Sequence, residues 1–295
     1  MSEKQAYLID ASIYVFKSYY VNYGNYTASN GENINAVYGF TRFLTDFIHK
    51  TKAQHIACAF DESLESSYRN EIYPPYKANR EPAPEDLKRQ FKLCQEVANV
   101  LGISTYSDGY YEADDLIGTL AHHHQKQGFR NHIVSADKDL AQLVGENDTW
   151  WNYGKDEPMN PDLIKQKFGV YPNQIADYLA LCGDSVDNIP GVSGIGIKTA
   201  IHLINHFETL QDVMDRNKEI AFLSIRGAKS CQKKIADNLD QAKLAKSLTE
   251  IKTDIPLENI DIRRKQINTE RINQLFDFLQ LGPMLRRRIL DLQKI

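Results

Sequence analysis

The chain is poor in cysteine, in long apolar runs and in histidine at ligand-like spacing. Its 295 residues contain four cysteines, Cys58, Cys94, Cys182 and Cys231, with no C-x-x-C pair and a shortest gap of 36 residues. That usage excludes a disulfide framework and fits reduced thiols in a cytosolic protein. No run reaches the roughly 18 apolar residues a membrane span requires. The opening MSEKQAYLIDAS lacks the apolar stretch of a signal peptide. There is no low-complexity segment and no long-period repeat. No Ser-His-Asp or Cys-His arrangement for nucleophilic catalysis stands out. His122-His123-His124 is a tempting metal cluster, but it sits at a polar helix end before Gln125-Lys126-Gln127-Gly128 and reads as a solvated turn.

What the chain has is acid in the wrong places for a solvated surface. Nine acidic residues form five separated clusters: Asp10, Asp61, Glu112 with Asp114 and Asp115, Asp137 with Asp139, and Asp184 with Asp187. Most follow a short apolar run or lie in a glycine-rich turn. Acids at the carboxyl ends of buried strands converge on one crevice in an open α/β sheet. Two carboxylates about 4 Å apart repel by roughly 4 kcal/mol at an effective dielectric near 20, so such a crevice needs cations. An all-oxygen donor set favours Mg²⁺ or Mn²⁺. Each cluster alone is compatible with helix capping, since acids in a first turn suit the helix dipole. The net charge is only −4, and without these nine acids the remainder would be +5. A positive surface around an acidic site is therefore compatible with the total.

Short strands are expected at Tyr7–Ile9, His55–Phe60, Ile103–Tyr106, His132–Val134 and Thr149–Tyr153. Helical patterns alternate with them at Ala36–Lys50, Asp86–Leu101 and Ala113–Gln127. The alternation implies a mostly parallel sheet covered on both faces. After a boundary near Asn160-Pro161 the strand signals fade, and helices are expected at Pro172–Cys182, Lys198–His206, Ala228–Ile251 and Thr269–Leu281. Trp150-Trp151 reads as strand core. Two divalent ions about 3.5–4 Å apart can clamp a phosphodiester without any nucleophilic side chain.

The segment Gly183–Ala200, GDSVDNIPGVSGIGIKTA, adds a glycine turn between two helices. Gly191, Gly194 and Gly196 would let a phosphate approach backbone N–H groups, with Lys198 and a helix N-terminus behind it. At this point the sequence resembles the 5′-nuclease family: the 5′→3′ exonuclease domain of bacterial DNA polymerase I and the flap endonucleases. The matching segments are LIDASIYVFK, AFDESLESSYRNEIYPPYKANR, YYEADDLIGTLA, VSADKDLAQLV, GDSVDNIPGVSGIGIKTA and a final TDIPL, spread over nearly the whole chain. Two departures occur. Ala11 stands where many relatives have glycine, and Lys17 where they often have arginine, which loses the bidentate fork.

The resemblance implies a PIN-like α/β domain over 1–160, with a helical arch at about 73–95, and a helical domain over 161–295 with a helix-hairpin-helix at about 178–206. It implies a structure-selective 5′→3′ exonuclease and flap endonuclease using two metal ions in DNA replication and repair. Asp10, Asp61, Glu112, Asp114 and Asp115 would serve one ion, Asp139, Asp184 and Asp187 the other, with Asp137 between them. Lys77 and Arg80 would contact the scissile phosphate, Tyr76 could stack on a base, and Lys17 could touch a phosphate. Backbone carbonyls of Leu181, Cys182, Pro190, Val192 and Ile195 would hold K⁺. The expected partner is DNA with 5′ flaps, nicks or 5′ ends, with tolerance of RNA primer–DNA left open, handled by a cytoplasmic, nucleoid-associated monomer without a membrane. No polymerase module follows residue 295, so a free-standing enzyme is expected. The basic stretch 260–295, with Arg286-Arg287-Arg288, is either a duplex contact or a solvated face. The rivals are a PIN-type ribonuclease, a non-catalytic binder of branched DNA, and a dehalogenase-type phosphatase, whose Asp-x-Asp pair is missing at Asp10-Ala11-Ser12.

Overall fold

The computed structural model describes residues 4–21, 25–62 and 67–295. The part of one matching motif at 63–66 lies outside these residues. The first half of the chain alternates strands and helices: β1 (Lys4–Asp10), α1 (Ala11–Tyr20), α2 (Asn35–Thr51), β2 (Ile56–Asp61), α3 (Tyr68–Ile72), α4 (Glu85–Val100), β3 (Ser104–Asp108), α5 (Ala113–Lys126), β4 (Phe129–Val134) and β5 (Thr149–Trp151). Helices follow: α6 (Pro161–Phe168), α7 (Ile175–Cys182), α8 (Ile197–Phe207), α9 (Leu210–Asp215), α10 (Ala228–Ala236), α11 (Leu239–Thr249), α12 (Thr269–Phe278) and α13 (Pro283–Asp291).

All five expected strands form one parallel sheet in the order β3-β2-β1-β4-β5. The chain steps outward from β1 to β3, then returns to the other side of β1. This places a topological switch point between β1 and β4, where open α/β sheets leave a crevice at the strand carboxyl ends. Ile9 is in register with both Cys58 and Val134, so Asp10, Asp61 and Ser135 emerge together at that end. β1 buries both faces, as interior parallel strands do. Ala6 and Leu8 pack with α5 and the helical region, while Tyr7 and Ile9 pack with α2, α4 and the chain's last helices.

α1 follows β1 with no intervening loop, because Asp10 ends the strand and caps the helix through Ile13 N–H at 3.3 Å. Two expectations give way. First, the helix expected over 228–251 is two helices. The Asn238 side chain donates to the Lys234 carbonyl at 2.8 Å, a local bond that competes with the helical ladder. Second, 161–295 is not one helical unit. After α11 the chain returns to the α/β half: Ile56 N–H donates to the Ile262 carbonyl, Lys265 N–H to the Gly102 carbonyl, and Ser29 N–H to the Phe278 carbonyl. Ile272, Phe276, Leu285 and Ile289 then complete the core beside α2 and α4. Arg286 pairs with Asp277 at 2.6 Å and Arg288 with Asp46 at 2.7 Å. Two of the three arginines in that run thus fasten the tail rather than sit as a free basic face. His124 is buried, its Nδ1 2.6 Å from the Leu120 carbonyl. Trp150 and Trp151 are strand core.

The expected arch at 73–95 also divides. Residues 73–84 are turns that lie over the crevice. From Glu85 the chain is α4, whose Leu87, Phe91 and Cys94 are buried in the core.

Candidate active site

The crevice at the switch point gathers the acids. Asp10 Oδ2 accepts from Ser135 Oγ at 2.7 Å, and the same hydroxyl accepts from Asp137 N–H at 2.9 Å. Asp61 Oδ1 accepts from Ala113 N–H at 3.0 Å, which fixes the first turn of α5, and with it Glu112 and Asp114, beside β2. Asp137 Oδ1 accepts from Asp139 N–H at 2.9 Å, and Trp150 Nε1 donates to the Asp137 carbonyl at 2.9 Å. The loop 184–189 closes on itself through paired Asp184–Ile189 backbone bonds at 2.9 and 2.7 Å. It brings Asp184 and Asp187 to the other side of the crevice.

Basic residues of the chain already sit among these acids. Lys77 Nζ lies 2.6 Å from Glu112 Oε1 and 3.9 Å from Asp187 Oδ2. Arg80 pairs with Asp187. Lys138 Nζ lies 2.5 Å from Asp184 Oδ2 and 3.1 Å from Asp139 Oδ1. Arg69 reaches Glu112 at 2.7 Å and grips both Asp115 oxygens at 2.8 and 2.9 Å. Arg69 and Lys138 were missed in the sequence. Lys138 stands between Asp137 and Asp139, and Arg69 lies in the motif SSYRNE, but nothing in the spacing shows which way either points.

The pairing sorts the acids. Asp115 is fully buried, and its oxygens also accept from Lys252 N–H at 2.9 Å and Glu112 N–H at 3.3 Å. It is an ion-pair anchor for α5 with its acceptor positions taken. Burial would raise the Glu112 pKa, but Lys77 and Arg69 outweigh it and hold Glu112 below its ordinary value. Burial raises Asp10 to about 7; the Ser135 bond offsets part of this, and the Asp61 and Asp137 charges add to it. Burial, then the Asp137 charge, raises Asp139 to about 7. Asp114 is pushed well above the carboxylate range by burial and by Asp137 and Asp10. Among the described residues Asp114 accepts no hydrogen bond, and Asp139 Oδ1 is buried with no well-aligned donor.

No three acidic, His or Cys side chains among the described residues close on one point as the ligands of a bound ion do. The four cations hold several of the acids toward themselves. Nine acids against Arg69, Lys77, Arg80 and Lys138 still leave five excess negative charges at full ionisation. Two divalent ions would offset four of them. Asp10 and Asp114, which pair with none of the four cations, and Asp139, which shares Lys138 with Asp184, therefore fit oxygen-seeking divalent ions.

Two expectations for the neighbouring elements are corrected. Tyr76 is 4% exposed, and its hydroxyl donates to Glu112 at 3.0 Å and Asp187 at 3.3 Å, so its ring offers no face to a base. Gly191 is not open to a phosphate. A Cβ there would meet Gly183 N at 2.3 Å, so its missing side chain serves backbone packing between α7 and the hairpin. The space over Gly194 is taken by Lys234 of α10, whose Nζ donates to the Gly194 carbonyl at 3.2 Å. Gly196, the residue before α8, is open, and Lys198 is exposed and unpaired among the described residues. Lys17 Nζ donates to Asn152 Oδ1 at 3.3 Å at the crevice edge. Of the carbonyls expected to hold K⁺, Leu181 accepts from Val192 N–H, Val192 from Ile195 N–H, and Pro190 from Gln241 Nε2, each at 2.9 Å.

The family model described as 5′-3′ exonuclease, N-terminal resolvase-like domain, matches residues 5–169, and that for the 5′-3′ exonuclease C-terminal SAM fold matches 170–273. The chain belongs to the 5′-3′ exonuclease family. It is a nuclease. It is 37% identical to a 5′-3′ exonuclease of Buchnera aphidicola from Acyrthosiphon pisum, over 88% of this chain and 90% of that one. It is 34% identical to a 5′-3′ exonuclease of Aquifex aeolicus, over 96% and 94%. DNA polymerase I of Bacillus subtilis is 33% identical over 96% of this chain but only 32% of its own length. Among solved structures, the zinc-bound T5 5′-exonuclease superposes with a TM-score of 0.67 at 16% identity over 99% of both chains. The catalytic core of Rad2 with DNA substrate gives 0.66 at 15% identity, over 98% of this chain and 92% of that one. At those identities the likeness shows a common fold. The family's domain division at 169/170 lies nine residues beyond the boundary expected at 160.

Proposed function

We propose that this exonuclease hydrolyses DNA phosphodiesters at or near the 5′ end of a flap, nick or branched duplex, releasing 5′-phosphate products. The observation that carries this is the excess negative charge at the sheet's switch point, next to a glycine hairpin where the open Gly196 and the exposed Lys198 suit a phosphate. Asp10, Asp61, Glu112, Asp114, Asp137, Asp139, Asp184 and Asp187 would hold Mg²⁺ or Mn²⁺, with Asp115 acting through Arg69. Two such ions, when bound, lower the pKa of a water and neutralise charge on the phosphate and the leaving 3′-oxygen.

The chain's own side chains do the rest. Lys77 and Arg80 hold Glu112 and Asp187 until a phosphate arrives, and each has a charge to offer it. Lys138 orients Asp184. Gly194, Gly196, Lys198 and Lys234 take the duplex backbone behind the cut, and Lys17 the strand at the crevice edge. K⁺ would sit at the hairpin carbonyls of Leu181, Cys182, Pro190, Val192 and Ile195, each of which keeps a lone pair. This reading expects a cytoplasmic, nucleoid-associated monomer. The test is cleavage of a labelled 5′-flap DNA with Mg²⁺, compared with single-stranded RNA and a phosphomonoester. Cleavage of the flap alone supports the reading, and cleavage of only one of the others overturns it.

A further inference from the structure

Phe222 is 89% exposed, the most exposed large apolar side chain among the described residues. It ends a short 3-10 turn, Asn217–Phe222, that packs against α10. Two bonds fix that packing: Asn217 Nδ2 to the Gln232 carbonyl at 3.1 Å, and Gln232 Nε2 to Asn217 Oδ1 at 2.9 Å. On the opposite flank α10 sends Lys234 to the Gly194 carbonyl. Cys231 and Ile235 bury the face beneath. The face left outward, between hairpin and turn, carries Lys229 and Lys233, one helical turn apart and exposed. Lys218 and Arg226 beside Phe222 are also exposed. None of these four cations forms an ion pair with another described residue, whereas nearby Glu219 is bound to Arg216 at 2.7 Å.

We infer that the duplex footprint does not end at the glycine hairpin but continues across α10 to Phe222. The inference rests on the duplex-binding role proposed above. An α-helix is about 10–12 Å wide, and successive phosphates of one strand advance about 3.4 Å along the duplex axis. A strand leaving the hairpin therefore passes Lys229 and Lys233 within about three nucleotides. Phe222 stands on the far side of α10, flanked in sequence by Lys218 and Arg226, where an exposed apolar side chain can press into a minor groove. Charge complementarity and continuity with the hairpin make duplex DNA the occupant, rather than an acidic peptide.

The test is binding in Ca²⁺ to nicked duplexes whose arm behind the nick is about half a helical turn or about two turns, near 5 or 20 base pairs. The parent should bind the long arm more tightly. The triple variant Phe222→Ala/Lys229→Ala/Lys233→Ala should bind the long arm about tenfold more weakly, with a salt slope reduced by roughly two, and the short arm like the parent. Undiminished long-arm binding, or an equal loss on both arms, overturns the inference while leaving the hairpin's role intact. A parent that binds neither arm would overturn the duplex-binding role itself. In Phe222→Trp, emission should change with the long arm. A change with an acidic, phenylalanine-containing peptide but not with DNA overturns the inference.

Discussion

The Lys77 ammonium lies 2.6 Å from Glu112 Oε1, inside the acid crevice rather than over it. Lys77 N–H also donates to the Asp187 carbonyl at 2.9 Å, and Asn188 Nδ2 donates to the Pro75 carbonyl at 2.7 Å. The turn over the crevice and the loop carrying the last two acids are thereby stitched together. Burial would lower the Lys77 pKa, but Glu112 and Asp187 raise it well above its ordinary value, so the cation stays charged. In the proposed function that charge passes from Glu112 to an incoming phosphate.

Lys77→Ala should slow single-turnover flap cleavage by at least tenfold, about 1.4 kcal/mol of transition-state stabilisation. Duplex binding in Ca²⁺ should change little, because the proposed function assigns it to the hairpin. An unchanged single-turnover rate would remove Lys77 from the chemistry.

Asp114 and Asp115 are neighbours with opposite roles. Asp115→Ala leaves the buried Arg69 with Glu112 alone opposite it and should cost about 3 kcal/mol in urea unfolding. Asp114→Asn removes an uncompensated charge, so in EDTA it should be neutral or stabilising while divalent-ion affinity falls. Equal stability losses for the two variants would contradict this division.

The chemistry of the sheet was legible in the sequence, and the geometry of its charges was not. Apolar runs ending in Asp10, Asp61 and Ser135 mark strand ends because a buried parallel strand has no other reason to stop on a polar residue. Which cation meets which acid depends on contacts between residues far apart in the chain. Arg69 with Asp115 and Lys234 with Gly194 join residues 46 and 40 positions apart, and no local pattern encodes them. The tail's return escaped for a related reason. The Thr269–Leu281 pattern fits a helix in either half, and only long-range contacts such as Ser29 N–H to the Phe278 carbonyl show where it lies. Glycine was similarly ambiguous: Gly191 and Gly196 look alike in sequence, but one packs on backbone and the other is open.

That difference is testable. Gly191→Ala should destabilise the fold by about 1–3 kcal/mol through overpacking, whereas Gly196→Ala should unfold like the parent. Urea curves for the two variants check it. A Gly191→Ala protein as stable as Gly196→Ala would contradict the packing role.

Proton binding should report the crowded carboxylates. Unfolded Asp titrates near 3.9, while burial and repulsion hold Asp10 and Asp139 near 7 in the fold. Between these values the folded state binds more protons, so their contribution to stability falls as pH rises. In EDTA the parent should lose stability relative to Asp10→Asn/Asp139→Asn between about pH 4 and 7, and the difference should then level off. Ca²⁺ should restore the parent most at high pH, since it binds the ionised form. A difference between the two proteins that does not vary with pH would contradict this.

In the proposed function the switch-point acids hold the ions that cut DNA. The most direct measurement is the single-turnover rate on a 5′-labelled flap duplex across an Mg²⁺ series, for the parent and Asp137→Asn, alongside duplex binding in Ca²⁺. The parent should cleave only with the divalent ion. Asp137→Asn should bind the duplex normally and fail to cleave it at any Mg²⁺ concentration. Parent-like cleavage in EDTA, or by Asp137→Asn, would contradict the account.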